Sequence, residues 1–123
     1  MKRLFSALGL RLAGYIGAQR VAHGGDFTAS AKLAYWIGYP IFFRSLRERI
    51  GLRYCRYASS GAAPIAPEVL EFFMGLGIPV FELYGMTENT AVATCNFEGR
   101  VKLGTVGEPY SSIGVRILSL IHI

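Results

Sequence analysis

A strand-loop-helix-strand pattern in the second half of this chain narrows its fold more than any other feature. Residues 52–59, Leu-Arg-Tyr-Cys-Arg-Tyr-Ala-Ser, are β-prone and run into the small-residue loop Ser60, Gly61, Ala62, Ala63 and Pro64. Pro67 suits the first position of a helix, and Glu68 complements the positive end of its dipole. Val69, Leu70, Phe72, Phe73 and Leu76 then supply an apolar stripe, which Gly77 stops. Residues 78–84 read as a second strand, with Pro79 tolerable at its start. A helical crossover makes two consecutive strands parallel, so the loops at their carboxyl ends, 59–64 and 85–89, emerge at one rim of the sheet. In open α/β sheets ligands sit at that rim. The fold class expected is α/β, helices followed by a parallel β-α-β unit.

The first half reads as helix. Leu4, Leu8, Leu12, Tyr15 and Ile16 recur at helical spacing, up to a loop at His23, Gly24, Gly25 and Asp26, although Gly9, Gly14 and Gly17 weaken the element. Thr28 or Ser30 can cap a second apolar helix through Leu33, Tyr35, Trp36 and Ile37, which Pro40 is expected to interrupt. Beyond it, Phe43, Leu46 and Ile50 form a stripe opposite Arg44, Arg47 and Arg49, closed by Gly51. Core-facing stripes with solvated cations are the expected arrangement; a basic surface lying on a membrane is the alternative. Trp36, Tyr35 and Phe42 could border a ligand tunnel, but aromatic stripes at this spacing usually form core.

With 52% hydrophobic and 17% charged residues in 123, the chain can build a core and is no disordered polymer. Its net charge of +5 is lopsided: residues 1–57 hold 10 basic and 2 acidic groups, the remainder 3 and 6. Ten of the 13 cations are Arg, set singly rather than in a run, which argues against nucleic acid as a partner. Charges at Arg11, Arg20, Lys32 and Arg44 break every apolar run below the roughly 20 residues of a membrane span. Cys55 and Cys95 show no metal or disulfide spacing, so a cytoplasmic compartment is the default. Cys55 reads as a small buried hydrophobe on the first strand, Cys95 as a thiol without a basic neighbour in sequence, and His23 as a hydrogen-bonded surface group.

Chemistry concentrates in Tyr84, Gly85, Met86, Thr87, Glu88 and Asn89. An aromatic face can stack on a base, glycine lets a ligand approach the main chain, a hydroxyl can donate to a phosphate oxygen, and a carboxylate is a hard oxygen ligand for Mg²⁺. A polar turn at a strand end would look the same. The loop of Ser59, Ser60, Gly61, Ala62, Ala63 and Pro64 at the same rim favours the functional reading, since it offers backbone groups without bulk.

The run Tyr84-Gly85-Met86-Thr87-Glu88 resembles the Y-G-x-T-E motif of the adenylate-forming (AMP-binding) superfamily, and Ser60-Gly61-Ala62-Ala63-Pro64 resembles its S-G-A-A-P loop. Lys102-Leu103-Gly104-Thr105-Val106-Gly107-Glu108-Pro109 is similar to a third, downstream K-x-G-T-V-G-x-P turn, in which Gly104 and Gly107 are expected only to permit the turn. Residues 43–51 and 67–73 look like long-chain fatty-acyl-CoA synthetases within that superfamily. The resemblance implies a two-step ligase: a fatty carboxylate attacks the α-phosphate of ATP to give acyl-AMP and pyrophosphate, and the thiol of coenzyme A then displaces AMP. It also implies roles. Tyr84 would stack near adenine, Gly85 shape the pocket floor, Thr87 contact phosphate and Glu88 hold Mg²⁺, with Thr87 and Glu88 the catalytic pair. Gly61, Ala62 and Ala63 would line the junction of the adenine and acyl sites.

By the same resemblance, residues 1–117 form part of an AMP-binding domain in the N-terminal portion of such an enzyme, with 1–51 mainly helical and 52–89 the β-α-β unit. Residues 118–123 match nothing expected there and read as a non-family tail. The superfamily's phosphate loop, ribose-binding Asp, hinge and C-terminal catalytic Lys have no counterpart, so the chain is expected to be an internal fragment, inactive in isolation. Two other readings stay open: an adenylation module loading a carrier-protein thiol, and a non-catalytic β-α-β binding module in peripheral contact with a membrane through residues 1–50.

Overall fold

The computed structural model describes residues 2–116, with side chains from residue 7 onward. The expected tail, 118–123, and Ile117 before it lie outside the described residues, as do the side chains of Leu4 and its neighbours.

Helix α1 (Lys2–Ala22) ends at the turn of Gly24 and Gly25, whose φ angles of +67° and +104° suit glycine. Its packed face differs from the expected stripe: Leu8 and Tyr15 are exposed, while Gly9, Ala13, Ile16, Gly17 and Arg20 are buried. The cause is the close approach of α4 (Pro67–Gly75), which only small side chains permit. A Cβ on Gly17 would stand 2.0 Å from the Glu71 carbonyl oxygen, and one on Gly75 would stand 1.8 Å from that of Ala13.

Thr28 caps α2 (Ala29–Gly38), its hydroxyl accepting from the Ala31 N–H at 3.3 Å. Pro40 does not break the helix as expected. The chain widens into one π-turn, Tyr39–Phe43, and continues as α3 (Arg44–Arg49), with the Arg44 N–H donating to the Tyr39 carbonyl. The wider turn absorbs the hydrogen bond that proline cannot make. Phe43 is buried in a core with Ala13, Ile16, Ala31 and Leu76, and its ring stacks on Tyr35 at 5.7 Å between centroids. Burying each large side chain of this kind contributes about 1.5–3 kcal/mol.

Arg47 overturns the expectation of solvated cations. It is 6% exposed, and its guanidinium donates to the carbonyls of Leu52 (3.2 Å), Leu76 (3.3 Å) and Cys55 and to the Tyr35 hydroxyl (3.3 Å). Arg20 is buried in the same manner, donating to the Gly25 and Met74 carbonyls at 2.8 and 2.9 Å beneath the Phe27 ring. Planar guanidinium groups with several fixed donors can bind several loop carbonyls at once. Trp36, in contrast, is 78% exposed and belongs to no core.

The first strand is shorter than its β-prone run. β1 is Ala58–Ser60, and residues 52–57 form turns held by Arg47, so Cys55 is half-buried in a loop with its thiol donating to the Tyr57 carbonyl. After α4, Gly77 (φ +78°) turns the chain into β2 (Val80–Tyr84). β1 and β2 pair in parallel, Ala58 opposite Val80 and Ser60 opposite Glu82, giving the β-α-β unit. Two short strands that the sequence pattern did not reveal, β3 (Thr94–Cys95) and β4 (Glu108–Pro109), add antiparallel to the far side of β2. The result is a mixed four-stranded sheet in the order β1-β2-β3-β4.

Candidate functional site

Parallel pairing of β1 and β2 sends residues 61–64 and 85–89 out at one rim, side by side. Gly61 lies against β2: a Cβ there would stand 2.6 Å from the Leu83 side chain and 3.1 Å from its carbonyl oxygen. Gly61 is thus fixed by its own chain, whatever else approaches. Gly85 is more tightly enclosed, because the loop folds back until a Cβ would lie 1.3 Å from the Ala91 carbonyl oxygen. The fold-back is a 3-10 turn, Thr87–Asn89, braced where the Asn89 side chain accepts from the Met86 N–H at 3.2 Å.

Backbone strain gathers at the same place. Among the described residues, the non-glycine positions with positive φ are Ala62 (+69°), Thr90 (+63°) and Ala91 (+93°), all on these two loops. Such conformations cost about 1–3 kcal/mol each and persist where the surroundings over-determine them, a pattern typical of ligand sites. Tyr84 is 48% exposed and stacks on no described ring; Thr87 and Glu88 are exposed, and their side chains make no hydrogen bond or ion pair to a described residue. Ala62 and Ala63 are exposed as well, so the rim presents open backbone, an aromatic face, a hydroxyl and a carboxylate.

Three residues of this region escaped the sequence reading. Directly opposite residues of an antiparallel pair share a face, and so do residues two apart on one strand. Tyr84 pairs with Thr94, so Glu82, Tyr84, Thr94 and Asn96 lie on one face of β2 and β3. Thr94 is buried, and its hydroxyl has no hydrogen-bond partner among the described residues. Glu82 and Asn96 are buried polar groups bonded to the turn of residues 102–107. A lone acid inside the apolar run 78–84 was the available signal for Glu82; Thr94 and Asn96 gave none.

Gly107 has a reason beyond its turn. It has φ +76°, and a Cβ there would stand 2.1 Å from the Cys95 backbone, whereas Gly104 (φ +72°) has open space around it. Burial pushes the Cys95 thiol above its ordinary pKa, away from reactivity. His23 is exposed, its Nδ1 donating to the Gln19 carbonyl at 2.8 Å. A concavity of about 670 Å³ on the helical side, between Tyr35, Trp36, Ile41 and Arg47, includes none of the rim residues. Among the described residues, no three His, Cys, Asp or Glu side chains cluster to hold a metal ion, and no helix is long and apolar enough to cross a membrane.

A parallel β-α-β unit with strained, small-residue loops at its carboxyl rim is the α/β arrangement in which open sheets generally take their ligands. Residues 16–120 match the family described as AMP-binding enzyme, and the chain belongs to that family. It is 39% identical over 109 residues to fadD11 of Mycobacterium tuberculosis, provisionally named a fatty-acid–CoA ligase, covering 88% of this chain and 19% of that protein. It is 34% identical over 85 residues to the long-chain-fatty-acid–CoA ligase ACSBG2 of Xenopus laevis, covering 69% and 12%. With the long-chain-fatty-acid–CoA ligase FadD15 of Mycobacterium bovis it shares 34% identity over 77 residues, covering 63% and 13%. The chain thus spans a fifth or less of the length of these curated relatives. No solved structure matches it.

Proposed function

We propose that this chain is part of the catalytic domain of an ATP-dependent long-chain fatty-acid–CoA ligase and carries one wall of its nucleotide site. The observation that supports this most directly is the emergence of residues 61–64 and 85–89 at one rim in a member of the AMP-binding enzyme family. Relatives named for fatty-acid–CoA ligation supply the substrate class, with fatty acid, ATP and coenzyme A as the reactants.

The residues fit those reactants. The exposed Tyr84 ring has no described partner and is free to stack on adenine; the exposed backbone of Ala62 and Ala63 offers a flat ligand a floor without bulk. The orphaned Thr94 hydroxyl lies across from Tyr84 as a polar group still to be satisfied. Thr87 can donate to a phosphate oxygen. Glu88, a carboxylate at liberty on the 3-10 turn, fits a Mg²⁺ that is held mainly by substrate phosphates and needs only one or two protein carboxylates. Held by Glu88, such an ion would supply charge neutralisation at the phosphates during adenylation. The protein supplies position and hydrogen bonds, and no nucleophile of its own is needed. A cytoplasmic location belongs to the same proposal, supported by two free thiols.

The test is pyrophosphate release by the full-length enzyme that contains this segment, given a long-chain fatty acid, ATP and Mg²⁺, followed by acyl-CoA formation when coenzyme A is added. Release that depends on the fatty acid is expected. Its absence would overturn the proposal.

A further inference from the structure

The turn of residues 102–107 lies in the connection from β3 to β4 and reaches back to a β2 side chain. Two buried side chains hold it there. Glu82, 9% exposed, accepts from the Gly104 N–H at 3.1 Å. Asn96, 2% exposed, accepts from the Lys102 N–H at 3.1 Å and donates to the Thr105 carbonyl at 2.7 Å. One strand position beyond this clamp on the same face stand Tyr84 and Thr94, at the rim. We infer that Glu82 and Asn96 are positioning residues for the nucleotide site, fixing the turn of residues 102–107 as a wall beside the Tyr84 ring.

The chemistry of the clamp favours this over simple stabilisation. A buried carboxylate is a costly way to bind one main-chain amide, and an apolar residue on β2 would pack the face at less expense. What the carboxylate provides is direction, since it pins Gly104, a residue with φ +72° and open space where a side chain would stand. Asn96 fixes the turn on either side of that point. The turn is therefore held at three successive places, Lys102, Gly104 and Thr105, in one orientation relative to Tyr84.

The inference rests on the nucleotide reading of the rim, and its test separates the two. In the full-length enzyme, Glu82→Ala is expected to raise KM for ATP about tenfold, the loss of one charge-assisted hydrogen bond, with kcat within about threefold. Glu82→Gln keeps an acceptor oxygen and is expected to restore KM. Asn96→Ala should act in the same direction. In the 123-residue chain, exchange of the Gly104 amide with solvent deuterium should quicken in Glu82→Ala and remain slow in Glu82→Gln. An unchanged KM in Glu82→Ala, with pyrophosphate still released, overturns the positioning role and leaves the ligase assignment standing. A fall in thermal stability without any KM change reduces Glu82 to a structural residue and overturns it equally. Absence of pyrophosphate release from the unsubstituted enzyme removes both.

Discussion

Gly75 lies so near Ala13 that a single methyl group at its Cα would stand 1.8 Å from the Ala13 carbonyl oxygen. The relationship is reciprocal along the same helix pair, where a Cβ on Gly17 would stand 2.0 Å from the Glu71 carbonyl oxygen. The two glycines let α1 and α4 approach to backbone contact, and Arg20 then closes the gap by donating from α1 to Met74 on α4. Gly75→Ala should therefore force the helices apart despite alanine's better helix propensity, which is worth about 1 kcal/mol in the opposite direction. Destabilisation of about 1–3 kcal/mol is expected, read as a lower urea midpoint of the 123-residue chain. Gly14→Ala, on the exposed side of α1 with nothing within 4 Å, is the control and should stabilise slightly.

Arg47 joins the entries to both parallel strands, through Leu52 and Cys55 before β1 and Leu76 before β2. Replacing it with methionine keeps the bulk but removes the donor to the Cys55 carbonyl and one of the two donors to each of the Leu52 and Leu76 carbonyls; a buried carbonyl left unpaired costs about 1–3 kcal/mol. Arg47→Met should cost at least about 2 kcal/mol. Arg47→Lys should recover only part of that, because one ammonium cannot span acceptors that a planar fork reaches together. Chemical denaturation of the three proteins checks the ranking.

The β-α-β unit was legible because its signals are local and strong: Pro67 and Gly77 bracket one apolar stripe, and parallel pairing then follows from the crossover. The two loops at one rim came with it. β3 and β4 were not legible, since two residues each are too few to show a period and their pairing is set by the turn that Glu82 and Asn96 anchor. On α1, large apolar residues marked the wrong face because close helix contact selects glycine and alanine, which carry little hydropathy signal. Arg47 and Arg20 read as solvent-facing by their charge, yet groups of loop carbonyls that one planar fork reaches together drew them inside. Pro40 signalled a break where a π-turn needs only one residue of slack. The roles assigned to Tyr84, Thr87 and Glu88 came from a resemblance; physical reasoning from residue type alone found an aromatic, a hydroxyl and a carboxylate without ranking them above an ordinary polar turn.

Thr94 separates stability from binding. Its buried hydroxyl has no partner, so Thr94→Val, of nearly the same shape, removes an unpaired polar group and should leave the chain as stable or raise its stability by up to about 1 kcal/mol. If the hydroxyl meets the nucleotide beside Tyr84, the same change should raise KM for ATP severalfold in the full-length enzyme. Calorimetry and steady-state kinetics on one variant give the two readings independently. A stability loss would mean that the hydroxyl already has a partner in the free protein.

Glu88 is exposed on the 3-10 turn and bonded to no described residue, so Glu88→Gln should shift unfolding by no more than about 0.5 kcal/mol. The substitution preserves size and removes the charge that a hard cation needs. Pyrophosphate release by the full-length enzyme should then fall by about tenfold or more at limiting Mg²⁺ and recover in part as Mg²⁺ is raised, the mark of weakened ion binding. A chelator in excess should abolish release in both proteins. Parallel losses of melting temperature and activity, unrelieved by Mg²⁺, would instead assign Glu88 to the folding of the loop that encloses Gly85.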